Sequence, residues 1–290
     1  MTSIICWKNA VDEWYPGVWA VADPRVPSHV GMMTDSLQKL FVLPVNLYQD
    51  ESVFTREYSK RILNVCYGYV GSTLVGSGVK DILALCLDNL SEVEYCDVDG
   101  EVIKSIEERM PSLEEIAGLT KKITQKYLLA LGELHPSSVR CEILIFGFCK
   151  RTYMEKAFLI KNSPQESAVV SLEELDFSDS EFFVLGDKKC DVLKEIERKR
   201  TFCAQFPRWL GRAPIFALQQ IIKNSSLSSR GGFAQVCIAT KVVSRTVYIA
   251  DVDNSNFPLP GFDVFVELGA IGGFSISLNP SLTIDKRFID

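Results

Sequence analysis

Histidine is nearly missing from this 290-residue chain, which has only His29 and His135. Each stands beside a turn former, Ser28 before the first and Pro136 after the second, with no catalytic motif around it. Ser-His-Asp or Cys-His chemistry would have to run through one of them, so an enzyme of this sequence must find its base elsewhere. Paired cysteines are missing too. The nine cysteines are scattered and none belongs to a Cys-x-x-Cys pair, which leaves zinc ribbons and thioredoxin-type chemistry without support. Cys66, Cys86 and Cys237 lie inside apolar runs and read as small core residues of a reduced, cytosolic protein. No stretch reaches the roughly 18 to 20 apolar residues of a membrane span. The start, Met1-Thr2-Ser3-Ile4-Ile5-Cys6-Trp7, lacks the basic head and long apolar stretch of a signal peptide. Positive charge is in deficit: the net charge of -6 offers no global field for nucleic acid or an anionic membrane. The one basic stretch, Arg198, Lys199, Arg200, Arg208 and Arg212, reads as a solvated helix end with its loop.

What is present suits a globular α+β chain able to bury a large core. Apolar runs predict strands at Ser3–Trp7, Val18–Ala22, Lys39–Leu43 and Ile62–Val70, the last two separated by a polar excursion over Gln49–Arg61. After the turn Gly71-Ser72-Thr73, Val75, Val79, Ile82, Leu83 and Leu87 recur at helical spacing. A second helix is predicted over Ser112–Leu134, where Ser112 and Glu115 form a capping box. Strands follow at Glu142–Cys149, Lys156–Lys161 and Glu181–Leu185, then helices at Asp187–Arg198 and Ala213–Lys223. Further strands are expected at Phe233–Thr240, Thr246–Asp251 and Phe262–Leu268. Strands and helices thus come in blocks, unlike the strict alternation of a doubly wound sheet. Fully apolar runs such as Ile143–Phe148 require cover on both faces. Both facts are met by a four-layer αββα sandwich of two stacked, mainly antiparallel sheets. Residues 1–252 are expected to form this domain, with 253–290 as a C-terminal extension packed on it.

Gly71-Ser72-Thr73-Leu74-Val75-Gly76-Ser77 imitates half of a phosphate loop, but Ser77-Gly78 stand where Lys and Ser or Thr would be needed. Nucleotide binding is not expected there, and no cofactor or metal is expected anywhere. The amino end is more telling. Removal of methionine ahead of the small Thr2 would leave a free α-amine with a reference pKa of about 7.7 to 8.0. Nucleophile and base would then share one residue, which solves the missing-histidine problem.

Together with this feature, the chain resembles the proteasome β-subunit group of N-terminal-nucleophile (Ntn) hydrolases, bacterial protease-ring subunits included. Thr2-Ser3-Ile4 opens a strand as the family's Thr-Thr-Ile/Leu does. Ala20-Val21-Ala22-Asp23-Pro24-Arg25 looks like its Ala-Asp-Ser/Thr-Arg, and Asp35-Ser36-Leu37-Gln38-Lys39-Leu40-Phe41 is similar to its third-strand lysine segment. Tyr69-Val70-Gly71-Ser72-Thr73 resembles its small-Gly-small turn, and Ser229-Arg230-Gly231-Gly232 stands where the family has Ser-Gly-Gly. The resemblance covers roughly residues 2–250. It implies that the Thr2 hydroxyl attacks a carbonyl while its amine shuttles the proton, and that Lys39 lowers the local proton affinity by its charge. It further implies that Asp23 pairs with Lys39 and that the Gly71 N–H stabilises the oxyanion. Peptide or protein substrates and self-association into a ring or smaller oligomer follow from the same resemblance. Three positions depart from the pattern: Asp187 replaces a turn serine, and Leu227 and Arg230 stand where active members carry Asp and Ser. The alternative is therefore a catalytically inactive structural or binding subunit on the same fold.

Overall fold

The computed structural model describes residues 3–12, 15–28, 31–34, 37–48, 59–91, 106–132, 139–163, 169–224, 234–251, 258–259, 262–263, 270–275 and 281–284. The chain opens with β1 (Ser3–Asn9), β2 (Gly17–Ala22), the short hairpin β3 (Val26–Ser28) and β4 (Gly31–Thr34), β5 (Leu40–Tyr48) and β6 (Ser59–Gly71). Helix α1 (Thr73–Leu87), strand β7 (Leu90–Ser91), a turn of helix α2 (Ile106–Arg109) and α3 (Leu113–Gly132) follow. Next come β8 (Cys141–Cys149), β9 (Met154–Asn162), β10 (Val170–Glu174) and β11 (Phe182–Gly186). Helices α4 (Lys189–Cys203), α5 (Pro207–Leu210) and α6 (Ala213–Asn224) lead to β12 (Gln235–Thr240) and β13 (Ser244–Asp251). The tail contributes β14 (Pro258–Leu259), β15 (Phe262–Asp263), β16 (Ala270–Ile271), β17 (Phe274–Ser275) and β18 (Ser281–Ile284).

Two six-stranded sheets result, one in the order β11-β1-β2-β12-β13-β18 and the other β10-β9-β8-β6-β5-β7. Within them only the short partners β18 and β7 run parallel to their neighbours, β13 and β5. Side chains alternate across a strand, and in the central strands both faces are apolar, so each of these feeds two cores. Ile4, Cys6, Ala20, Cys66, Leu144, Phe146, Cys237 and Ala239 point inward and form the core between the sheets. Ile5, Trp7, Trp19, Val21, Val236 and Ile238 point outward, under Ile196 of α4 and Phe216 of α6. On the other side Val65, Tyr67, Tyr69, Ile143 and Ile145 lie beneath Val79 and Leu83 of α1 and Ile116 of α3. Three cores between four layers make an αββα sandwich. The middle core is rich in Ala and Cys, small side chains that let the sheets approach closely.

The predicted capping box forms: Ser112 N–H donates to Glu115 Oε2 at 2.8 Å, and Glu115 N–H to Ser112 Oγ at 3.1 Å. Ser72 caps α1, accepting from Val75 N–H. Gly76 has a packing role: a Cβ there would lie 2.2 Å from the Tyr69 ring, so only glycine lets α1 settle on β6. Differences from the sequence expectations concern element ends and short elements, such as the hairpin β3–β4 and the helical turns α2 and α5, which were not expected. β5 runs on to Tyr48, α4 begins at Lys189 and continues to Cys203, and β10 was not expected. β10 is short and carries Glu173 and Glu174, which pair with Lys161 and Lys156 of β9, so ion pairs replace the apolar signature. The basic stretch is not wholly solvated. Arg212 is buried against Asp12 at 3.0 Å, and the buried Lys199 donates to Gln220 of α6. Both histidines, and residues 264–268 of the expected last strand, lie outside the described residues. Among the described residues no helix is long and apolar enough to cross a membrane.

Candidate active site

The β1–β2 register, Ile4 opposite Ala22, brings Ser3 beside Asp23, whose N–H donates to the Ser3 carbonyl at 3.1 Å. Past the end of β2 the chain turns at Pro24, and the buried Arg25 folds back onto Asp23. Arg25 Nε lies 2.9 Å from Asp23 Oδ1, Nη2 lies 2.7 Å from Oδ2, and the Arg25 N–H also donates to Oδ1 at 3.0 Å. Such a planar fork on a carboxylate fixes both groups in angle as well as distance. Arg25 Nη1 reaches the Ile222 carbonyl at 3.3 Å, anchoring the pair to α6.

Lys39 enters this framework from the start of β5 and is 2% exposed. Its Nζ donates to the main-chain carbonyls of Asp23 and Arg25, both at 2.6 Å. The expected side-chain pairing of Asp23 with Lys39 is thus replaced by a relay. The Asp23 carboxylate holds Arg25, and the backbone shaped by that pair holds the ammonium. Burial pushes the Lys39 pKa down to about 8, against the partly compensating charge of Asp23 and with the help of Arg25. Two of the three ammonium protons are used by described acceptors, which leaves one for a third partner.

Gly71 closes β6 at φ +92°, in the region that favours glycine, and a Cβ there would sit 2.1 Å from the Arg140 carbonyl. The adjacent Ser72 N–H donates to that same carbonyl at 2.8 Å. Gly71→Ala is expected to cost at least ~1 kcal/mol of stability, seen as a lower midpoint in urea unfolding. An unchanged midpoint would show that this turn tolerates a side chain.

Ser3 pairs with Gly186 of β11, and its Oγ donates to the Asp187 carbonyl at 3.3 Å. The Asp187 carboxylate itself faces outward, 62% exposed and 3.8 Å from Arg140. Three described residues escaped the sequence reading. Arg25 was visible in the motif but had no assigned role. Gln235 accepts from Lys39 N–H at 2.7 Å and donates to the Leu37 carbonyl at 2.8 Å, fixing the start of β5. Its only signal was a polar residue at the head of an apolar strand. Glu142, 6% exposed at its side chain, accepts from Gly186 N–H at 2.7 Å and from Arg140 at 3.2 Å, tying the two turns together. Thr2, Leu227 and Arg230 lie outside the described residues. Among the described residues no group of His, Cys, Asp and Glu is placed to hold a metal ion.

The fold has known counterparts. An Anbu Gly-1 mutant from Hyphomicrobium sp. strain MC1 superposes with a TM-score of 0.50 at 11% identity, covering 85% of this chain and 86% of that one. Anbu from Pseudomonas aeruginosa, solved as a helical assembly, gives 0.51 at 11% identity over 84% and 86%. The chain has the proteasome-like fold of the Anbu proteins. Identity this low makes the likeness one of fold alone. No protein-family model matches the sequence, and no curated protein matches it. Within the Anbu-like fold, Asp23, Arg25, Lys39 and Gln235 meet at the end of the sandwich where β1 and β12 begin and β2 ends.

Proposed function

We propose that this chain is a proteasome-like Ntn hydrolase that cleaves peptide or amide bonds through Thr2 after Met1 is removed. The observation that carries this reading is the buried Lys39 ammonium, held by two carbonyls at the head of β1 with one proton unassigned. A buried ammonium is expensive. In the proposed reaction the Thr2 Oγ attacks the substrate carbonyl carbon, and its proton passes to the α-amine of the same residue. The charge of Lys39 keeps that amine's proton affinity low enough for it to be unprotonated near neutral pH. The Gly71 N–H stabilises the oxyanion. Collapse of the tetrahedral intermediate breaks the C–N bond as the α-amine returns its proton to the departing amine. Water then hydrolyses the acyl-enzyme through the same groups and restores Thr2.

The Asp187 carboxylate faces outward, and only its carbonyl meets Ser3. We extend two further properties to this chain: self-association, on the example of the Pseudomonas protein's helical assembly, and a cytoplasmic setting, on its scattered cysteines. The test is intact-mass spectrometry with a β-lactone electrophile. A chain lacking Met1 that takes up one adduct, lost in Thr2→Ala, is the expected result. Retention of Met1, or an exposed Thr2 that takes up no adduct, overturns the reading in favour of a non-catalytic subunit.

A further inference from the structure

A concave site lies at the far end of the sandwich from Lys39, where β6 begins, β8 ends and β12 turns into β13. It is a cleft of about 200 Å³, below the roughly 300 to 1,000 Å³ of pockets that hold drug-sized molecules. Its cations come from three separate elements: Arg61 from β6, Lys150 from the β8–β9 turn and Lys241 from the β12–β13 turn. Among the described residues no Asp or Glu lines it. In a chain of net charge -6 this is a local reversal of sign. None of the three cations forms an ion pair with a described residue, whereas on the neighbouring β9 Lys156 pairs with Glu174 and Lys161 with Glu173.

The two lysines are also held in place. Lys150 Nζ donates to the Ile62 carbonyl, which keeps it at the cleft wall. Lys241 Nζ lies 4.2 Å from the centre of the Tyr153 ring, and that ring meets Phe148 edge-on at 5.2 Å. Tyr153 adopts φ +58°, a conformation that costs a non-glycine residue free energy. The β8–β9 turn therefore accepts strain while seating a ring under Lys241. Asn64 and Ser244 add polar side chains to the lining.

From this convergence we infer that the cleft binds a compact phosphate-bearing anion, of the size of inorganic diphosphate or the phosphoryl end of a small molecule. Three charges carried on three separate elements suit a multiply charged tetrahedral oxyanion better than a planar carboxylate. The Arg61 fork offers paired N–H donors to two of its oxygens. Like-signed walls, with no carboxylate among the described lining residues to neutralise them, concentrate such an anion from solution. The site is separate from Lys39 and does not depend on catalysis: β6 carries it at Arg61–Asn64, whereas Gly71 closes the same strand at the other end.

The test is calorimetric titration of the full chain with sodium diphosphate, at an ionic strength held constant with sodium chloride. Glycerol phosphate and succinate serve as parallel ligands. Saturable binding of diphosphate is expected, weakened about tenfold or more in Arg61→Glu/Lys241→Glu, with no saturation by succinate. Both substituted residues are exposed, and the melting temperature without ligand checks the fold. If the double variant does not fold, Lys241→Ala carries the comparison. Binding of glycerol phosphate as well would identify an organic phosphoryl group as acceptable, and binding of diphosphate alone would identify the free inorganic ion. Absence of saturable binding, binding unchanged in the variants, or equal binding of succinate overturns the inference.

Discussion

Asp23→Ala is expected to lower the free energy of unfolding by about 3 to 5 kcal/mol, the usual cost of removing one member of a buried ion pair. The cost arises from what remains. Arg25 is 3% exposed, and without Asp23 its guanidinium would lose the carboxylate fork. Replacing both residues, as in Asp23→Ala/Arg25→Met, removes the buried cation along with its carboxylate, and part of the loss should return. Urea titration of the three proteins at neutral pH measures both steps. A single-variant loss below about 1 kcal/mol would place the pair in the weak class of surface salt bridges and contradict its burial.

Lys39→Met is expected to abolish most electrophile uptake at Thr2, by about 100-fold or more, the lower range for loss of a positioned acid–base group. This loss should occur without global unfolding, because methionine matches the lysine stem in length. Stability supplies an independent signature. The folded-state pKa of about 8 lies below the ordinary 10.5. Between those values the unfolded chain holds a proton that the folded chain has released. Stability conferred by this site therefore rises with pH across that window, and the penalty of the buried charge is fully present below it. Wild-type protein should gain about 2 to 3 kcal/mol over Lys39→Met between pH 7 and pH 10. A gap that stays constant would mean that Lys39 titrates like a solvated lysine. If the charge of Lys39 activates Thr2, wild-type labelling should also fall as pH rises through about 8.

Much of this architecture was legible because each central strand had no polar face. Runs such as Ile143–Phe148 demand apolar neighbours above and below, and stacked sheets between helices are one arrangement that provides them. Helix starts were legible where capping is local, as at Ser112 and Glu115. Partners distant in sequence were not. Gln235 bonds the backbone of Leu37 and Lys39 across nearly two hundred residues, and only the sheet order brings them together. The role of Asp23 was half visible for a related reason. Its position at the strand end was plain, but whether its carboxylate met Lys39 or Arg25 depended on the turn at Pro24, a matter of a few ångströms. Likewise, counting charges could not show that Arg212 would fold inward onto Asp12, since burial of a cation is decided by its partner.

The placement of aromatic residues has a consequence for any spectroscopic study of this protein. Trp7 and Trp19 belong to the core beneath α4 and α6, Trp209 packs on its edge, and the opposite core is furnished with Tyr67, Tyr69 and Tyr127 instead. Indole emission from these three tryptophans therefore reports on one flank of the molecule, and loosening of α1 and α3 would leave it nearly unchanged. The Trp7 and Trp19 rings, 5.9 Å apart and tilted by 48°, are also close enough for their transitions to couple. A paired circular-dichroism band from them should vanish when β1 and β2 separate, giving that strand pair an optical marker of its own.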